Sequence, residues 1–511
     1  MDKKYVLEKL NAARQDRNTA QVWLNECLRF ARPLANRVNS TITTNARNPE
    51  DEDDLFDTTL QDTVDDFGSD MTHLFTPRHE RWVKFEPTDD LSEGEKKQLA
   101  KEIDAEATAI FGEIERSNFY EAAGEAYRDW AISVMAMSIS DPGPGKSFDC
   151  QPIELASLLL ARGPLGTFDG RFREWPPMKR SEAEIIFNGI LKKSNEADGK
   201  KTVNLVDGWC RDWYDPMVEA WHHVVLINNK VEYMSAPGAH VGPGSCGFIV
   251  SPWRKAFTTA WMPGPAYKAL PPARTLDELS YLYLKALNRD VDPVVSYVDD
   301  GIMNVEGGID AGTWLPRGPN SEAPEAIQSN ARLDAAVFER QKLEEKIKKA
   351  LYQDRPDQPG KTPPTATQWV DEKAWNTRRM ELPRDLATNN WVLPIINRFT
   401  YLRAKRGQDL GVTLNKQFVQ LRPVTPLSKA RDLEDIQTTM QVVNMSLPLL
   451  QLEQAGNPID ARATIENLQK TANERHLVLK SEEQIAQEQA MAMMQQGGGM
   501  PMDGSQDVPI A

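Results

Sequence analysis

LFDTTLQDTVDDFGSDMTHLFTPRHERWVKFEP, running from Leu55 to Pro87, is the stretch whose order decides the fold. Phe56, Leu60, Val64, Phe67, Met71 and Leu74 follow one another at intervals of four or three residues, the spacing of one helical stripe. At about 100° per residue they share a single arc, while Asp62, Asp65, Asp66 and Asp70 fall mostly outside it. Asp53 and Asp54 are N-cap candidates and put negative charge at the positive end of the helix dipole. Thr76-Pro77 ends the helix, because proline has no N–H to donate and restricts the residue before it. Trp82, Phe85 and Pro87 then read as an aromatic strand. The pattern predicts a helix packed on one side that delivers the chain into a strand, and it contains no obvious chemistry.

The rest of the chain bounds what surrounds this segment. Its 511 residues are enough for about two to four domains and a large core. Hydrophobic residues make up 40% and charged residues 26%, the balance of a soluble globular protein. MDKKYVLEKL at the N-terminus lacks the apolar centre of a signal peptide, and no apolar run approaches the ~18 residues that span a bilayer. Cys27, Cys150, Cys210 and Cys246 are far apart, which fits a reducing compartment and offers neither a disulfide framework nor a zinc site. A net charge of −15 argues against a protein that coats DNA from outside, though not against one that lets DNA slide past.

Residues 1–47 and 92–139 read as helical. Short β-prone runs separated by glycine and proline occupy about 140–270, and HHVVLINNKVEYM (222–234) predicts a hairpin turning at Asn228-Asn229. LDELSYLYLKALNRD, from 276, predicts a helix that precedes a Gly/Asp-rich stretch at 291–325. A long charged helix is expected over 326–352, then the loop RPDQPGKTPP (355–364), helices over 366–406, a strand at 419–424 and a helix-rich region over 428–496. The tail QQGGGMPMDGSQDVPIA is low-complexity. The fold class expected is α+β, predominantly helical.

Three constellations resemble chemistry. SDPGPGKS (140–147) ends like a phosphate-binding loop, but Ser140 stands where that motif needs glycine. Pro142 and Pro144 also remove two of the N–H groups such a loop points at phosphate. His222 and His223 are adjacent, so on a strand they face opposite ways and cannot share a metal. The acid pairs Asp89-Asp90 and Asp299-Asp300 sit in turn-like sequence, where aspartate serves the backbone. No catalytic residue, cofactor or metal site is expected. In the long helix, Leu333, Val337, Ile347 and Leu351 form a narrow apolar stripe, and Glu344 and Glu345 stand four residues before Lys348 and Lys349. Such a helix is stable chiefly when it packs against neighbours.

Several segments together resemble the portal protein, or head-to-tail connector, of short-tailed (podovirus) bacteriophages. Arg17, Trp23 and Pro33 match that family's opening R…W…P helix. LFDTT and TPRHERWVKFEP match its D-[ST]-T segment and P…W-F-x-L strand, with Lys84 departing at the first aromatic of the W-F pair. MPGPAYKALPPARTLDEL, DPVVSYVDDG, TPPTATQWVDE and QFVQLRPVTPLSKARDLEDI follow in the family's order.

The resemblance implies a ring at one capsid vertex, a homododecamer by family habit. Such a ring is the conduit for packaging and ejection of double-stranded DNA, with the ATP spent by the terminase. Its implied partners are the terminase large subunit, tail adaptor and nozzle proteins, and the major capsid and scaffolding proteins, with no membrane and no cofactor. By family element, the wing is 1–270 with a return segment at 366–427, and the stem helices are 271–290 and 326–352. The clip is 291–325, the tunnel loop 353–365, and the crown and tail 428–511. Arg355, Lys361, Lys346, Lys348 and Lys349 would then face DNA in the channel, and Asp299, Asp300, Trp314 and Arg317 would face terminase or adaptor from the clip. Two alternatives stay open: an ATP-using DNA enzyme built on the GKS at 145–147, and another oligomeric virion protein of the tail or internal core.

Overall fold

The structure is a computed structural model. It describes residues 2–35, 55–87, 93–291, 295–298, 314–317, 325–326, 333–353, 380–408 and 419–423, apart from single positions 79, 165, 216 and 257. The chain divides into two compact units, Met1–Thr425 and Pro426–Ala511. The second unit, which holds the expected 428–496 helices and the tail, lies outside the described residues, as do 36–47 and 366–379.

Helix α1 (Lys3–Ala31) is followed by α2 (Thr59–Phe75), strand β1 (Val83–Pro87), α3 (Glu93–Arg116) and α4 (Phe119–Ile132). The predicted stripe forms the buried face of α2: Leu60, Val64, Phe67 and Met71 are in the core, joined by Thr63, Gly68 and Phe75. The start of this helix differs from expectation. Asp53 and Asp54 lie outside the described residues, and the N-cap is Thr58, with Asp57 Oδ1 accepting from the Thr59 N–H at 2.9 Å. Phe56 therefore precedes the helix. Thr76 ends it, its N–H bonding to the Thr72 carbonyl.

The expected helix over 92–139 stops at Ile132, and Val134–Ser140 is strand β2. The cause is burial: six consecutive residues of this strand are enclosed, so no alternation betrays it, and VMAMS carries no breaker. β2 lies between β11 (Phe248–Pro252) and β3 (Asp149–Pro152). A second antiparallel sheet has the order β10-β9-β8-β5-β4, from β4 (Leu158–Arg162), β5 (Phe168–Glu174), β8 (Leu205–Asp212), β9 (Ala220–Ile227) and β10 (Lys230–Met234). The β9–β10 hairpin turns where predicted, with Asn228 at φ 50° and Asn229 at φ 62°, the left-handed pair of a type I′ turn. Two short strands, β6 (Met178–Lys179) and β7 (Thr202–Val203), pair beside helices α5 (Arg180–Ile186) and α6 (Glu196–Gly199).

The main core is aromatic. The Trp130 ring lies 4.6 Å from Trp253, 5.8 Å from Phe75 and 6.2 Å from Phe67, centroid to centroid. Arg17, of the R…W…P pattern, is buried; it donates to Glu174 Oε2 at 2.9 Å and to the Ala156 carbonyl at 2.8 Å, tying α1 to the second sheet. Trp23 meets Tyr267 edge-on at 5.7 Å.

Helix α7 (Pro265–Val291) starts earlier than its sequence suggests and runs through Pro271 and Pro272. Two ladder hydrogen bonds are forfeited there, and burial of Ala266, Ala269, Leu270, Ala273 and Leu276 offsets the loss. Gly264 lets this helix begin against α4: a Cβ there would stand 2.3 Å from the Ala131 carbonyl oxygen. A small sheet follows, with β12 (Val295–Val298) between β13 (Trp314–Arg317, parallel) and β14 (Glu325–Ala326, antiparallel). The chain returns through α8 (Leu333–Ala350), which starts later than the expected 326 because Ala326 is paired in β14. Then come α9 (Glu381–Ala387), one π-helical turn (Thr388–Val392), α10 (Leu393–Lys405) and β15 (Val419–Pro423). β15 pairs antiparallel with β1, Phe85 opposite Leu421, so the strand closing the opening stretch is completed by one more than 330 residues later. The fold is a mixed α and β architecture with several small sheets, mostly antiparallel.

Candidate functional site

The LFDTT segment is the joint at which three helices meet. Its backbone N–H groups at Phe56 and Asp57 both donate to Asp277 Oδ1 of α7, at 2.7 and 3.0 Å. The Asp57 carboxylate, almost wholly buried, stands 3.7 Å from the Arg340 guanidinium of α8. The Phe56 ring packs on Tyr281 with centroids 4.9 Å apart. At the far end of α8, Gln353 Nε2 donates to Asp70 Oδ2 at 2.9 Å, so α2 is fastened to α8 at two places. None of these partners could be read from the segment itself, since Asp277 and Arg340 lie more than 200 residues away.

Between α2 and α8 runs an open groove of about 990 Å³. One wall carries Asp57, Asp62 and Asp66, and the other carries Arg340, Lys348 and Lys349 together with Glu344 and Glu345. Of the five residues expected to face DNA, the structure thus brings Lys348 and Lys349 together in this groove, opposite the carboxylates of α2. Lys346 is also exposed, on the same last turns of the helix, where cations suit the dipole. Arg355 and Lys361 lie outside the described residues, as do Asp299 and Asp300. Trp314 and Arg317 fall at the two ends of β13, in register with Val295 and Val298.

Among the described side chains of α8, the apolar stripe is buried toward the C-terminal end. Leu343, Ile347 and Leu351 are enclosed, whereas Val337 and Phe338 are 44% and 59% exposed. Glu344 takes its partner from the preceding turn, accepting from Arg340 Nε at 3.0 Å rather than pairing forward with Lys348. Two residues past the end of the helix stands Tyr352, a non-glycine residue at φ 63°, whose ring lies 6.0 Å from Trp253. That left-handed position is disfavoured for tyrosine, and the ring packs on Trp253. Across α7, Leu282, Leu284, Leu287 and Val291 stand between 41% and 77% exposed. A smaller cavity of about 280 Å³ between α7 and α8 contains the Ser280 hydroxyl, which is buried without a partner.

The phosphate-loop lookalike has the opposite polarity. Arg406 reaches into the 140–147 turn, donating to Asp141 Oδ2, the Gly143 carbonyl and the Lys146 carbonyl at 3.0 Å each, with its guanidinium 4.2 Å from the centre of Phe148. The turn converges carbonyl oxygens on a cation, where phosphate would need converging N–H groups. The Arg406 hydrogen bond holds the Asp141 carboxyl below its ordinary range. His222 and His223 face opposite ways as expected: His222 is buried beside Asp212, and His223 stacks on Trp209 at 4.9 Å. Burial pushes His223 down to about 4. The four cysteines are all buried and free. Among the described residues, no cluster of His, Cys, Asp and Glu is arranged for a metal, and no helix is long and apolar enough to cross a membrane.

The chain thus combines a helix pair with exposed apolar flanks, a small sheet between the two helices and an aromatic core. It matches the bacteriophage head to tail connecting protein family over residues 3–186 and 221–473, and it belongs to that family. No curated protein matches it. Family membership assigns it to the head-tail junction of a phage particle.

Proposed function

We propose that this chain is the portal subunit of a short-tailed phage, assembling as a ring of twelve at one capsid vertex. The observation that carries the reading is the succession of α7, the β12–β14 sheet and α8, in a chain that matches the connector family on both sides. A helix leads out, a small sheet caps the excursion, and a second helix returns packed along the first. In this reading α7 and α8 contribute the stem (271–290 and 326–352), and the sheet belongs to the clip (291–325). The wing is 1–270 with its return at 366–427, the tunnel loop is 353–365 and the crown 428–511.

The exposed flanks of the helix pair support the reading, since a monomer gains nothing by leaving them in water, whereas neighbours in a ring would cover them. Terminase and then the tail adaptor and nozzle would dock through the clip, near Asp299, Asp300, Trp314 and Arg317. The capsid and scaffolding proteins would surround the wing. Double-stranded DNA would pass Arg355 and Lys361, with Lys346, Lys348 and Lys349 nearby. Contacts of this sort are weak singly and fall with salt, which suits sliding. Light scattering with negative-stain microscopy tests the proposal: closed rings with a central hole are expected, and a stable monomer at micromolar concentration in several buffers overturns it.

A further inference from the structure

The groove between α2 and α8 is lined by five carboxylates and three cations. Arg340 is already shared between Asp57, at 3.7 Å, and Glu344, at 3.0 Å. Asp66 and Glu345 are exposed and, among the described residues, meet no cation within ion-pair distance. Asp62 takes only the Thr58 hydroxyl, at 3.1 Å, and stands one helical turn before Asp66, where like charges repel. The groove is continuous with the cavity of about 280 Å³ between α7 and α8, since both are lined by Arg340, Gln341 and Glu344. Leu279, Tyr283 and Val337 make the rest of that cavity apolar. Ser280 lies there at 5% exposure, and its hydroxyl has no partner among the described residues. A buried hydroxyl left unpaired is costly, so the subunit alone leaves this site incomplete.

A second surface carries the opposite charge. Leu282, Lys285 and Arg289 of α7 follow one another at intervals of three and four residues and share one face of the helix. All three are exposed, and none of them lines the groove or the cavity. Neither cation meets a carboxylate among the described residues; Lys285 only overhangs Tyr281, 5.9 Å from the ring centre. Glu278, one turn before Leu282, is the single carboxylate on this row.

We propose that the Leu282–Lys285–Arg289 row of one copy docks into the groove of the next copy. The inference rests on the ring reading and names the contact between neighbours. Lysine and arginine suit both parts of the receptor. Their methylenes lie along the apolar cavity wall, while their charged heads meet Asp62, Asp66 and Glu345 and donate to the Ser280 hydroxyl. The exceptions match in sign as well, Glu278 on the row and Lys348 in the groove. Copies that each carry a net charge of −15 thus attract one another locally, through surfaces of opposite sign. Because row and groove are different surfaces, the contact is head-to-tail. It repeats from copy to copy, as a ring requires, and does not end at a two-fold pair.

The test uses full-length chains with one surface reversed: Asp62→Lys with Asp66→Lys in the groove, or Lys285→Glu with Arg289→Glu on the row. Each alone should assemble at least about tenfold more weakly than the wild type in sedimentation velocity, with circular dichroism and amide exchange over α4 unchanged. Mixed in equal amounts, the two should form rings again, because every reversed groove then meets a reversed row. Native mass spectrometry should count both copies equally in those rings. Ser280→Ala should weaken assembly about fivefold and leave the subunit at least as stable. Wild-type assembly by either charge variant or by Ser280→Ala overturns the proposal, and so does a mixture that stays dissociated; wild-type rings would still uphold the ring reading. Wild-type chains that never form rings overturn both.

Discussion

Helix α2 and the helix pair α7–α8 carry apolar stripes of the same kind and meet different fates. On α2 the stripe is covered from Leu60 to Phe75, with the rings of Trp130 in α4 and of Trp253, just after β11, packed on Phe67. On the pair, cover gives out: Leu276 and Leu343 are enclosed, while Leu284, Leu287, Val337 and Phe338 face water. Periodicity therefore states which face wants burial and says nothing about who supplies it. In the first region the chain supplies it; in the second, in our reading, a neighbouring subunit does.

The contrast predicts a graded series of effects on the subunit. Trp130→Ala should be the most damaging, costing about 3–5 kcal/mol, because it empties the centre of a cluster that includes Phe67, Phe75 and Trp253. Urea unfolding followed by intrinsic fluorescence measures it, and a cost below about 1 kcal/mol would show that the core is less consolidated than its burial implies.

Next comes the buried carboxyl beneath the same core. Burial pushes Asp129 up to about 6, against the opposing pull of Arg32, which hydrogen-bonds it. A raised carboxyl pKa means that the folded state holds a proton the unfolded state has released. The contribution is complete below the unfolded value of 3.8 and is lost as pH rises through about 6. Relative to Asp129→Asn, which cannot ionise, the wild type should lose roughly 2 kcal/mol between pH 4 and pH 6. Parallel pH–stability curves for the two proteins would refute this.

A smaller, local effect is expected at the 140–147 turn. Arg406→Ala removes the donor to two carbonyls and to Asp141, so amide exchange over 141–147 should quicken while the aromatic core keeps its protection. Lys146→Ala, which alters only an exposed side chain of that turn, should leave exchange unchanged.

Parts of this contrast could be read in the sequence, and the reasons are physical. The α2 stripe, the Thr76 stop, the Asn228-Asn229 turn and the β1 strand each depend on a few adjacent residues, so local chemistry exposes them. β2 was illegible because a strand buried on both faces has no alternation. The start of α7 was illegible because tertiary burial overrides the prolines at 271 and 272. The role of LFDTT depends on Asp277 and Arg340, and the meaning of GKS depends on Arg406, partners that no spacing rule identifies. In the candidate interface, the clustering of Lys346, Lys348 and Lys349 was visible as a basic helix end, but the acidic wall opposite Lys348 and Lys349 was not.

The smallest effect on the fold should come from the uncovered flank, and it gives the sharpest test of the comparison. Leu284 and Leu287 are 50% and 41% exposed on α7, so replacing both with serine removes little that the subunit itself buries. The expected cost is within about 0.5 kcal/mol for each, the range of ordinary surface changes. If neighbouring subunits cover this flank, the same two substitutions delete apolar area from every interface of the ring, each side chain worth about 1 kcal/mol or more on burial. Repeated around a closed ring, that loss should convert assemblies to monomers at micromolar concentration. Sedimentation velocity reads the assembly, and amide exchange over α2 and α4 reads the fold. Rings lost with the core unchanged support the distinction between the two regions. Rings retained would mean that this flank stays in water, and the cover for α7 would have to be sought in another partner.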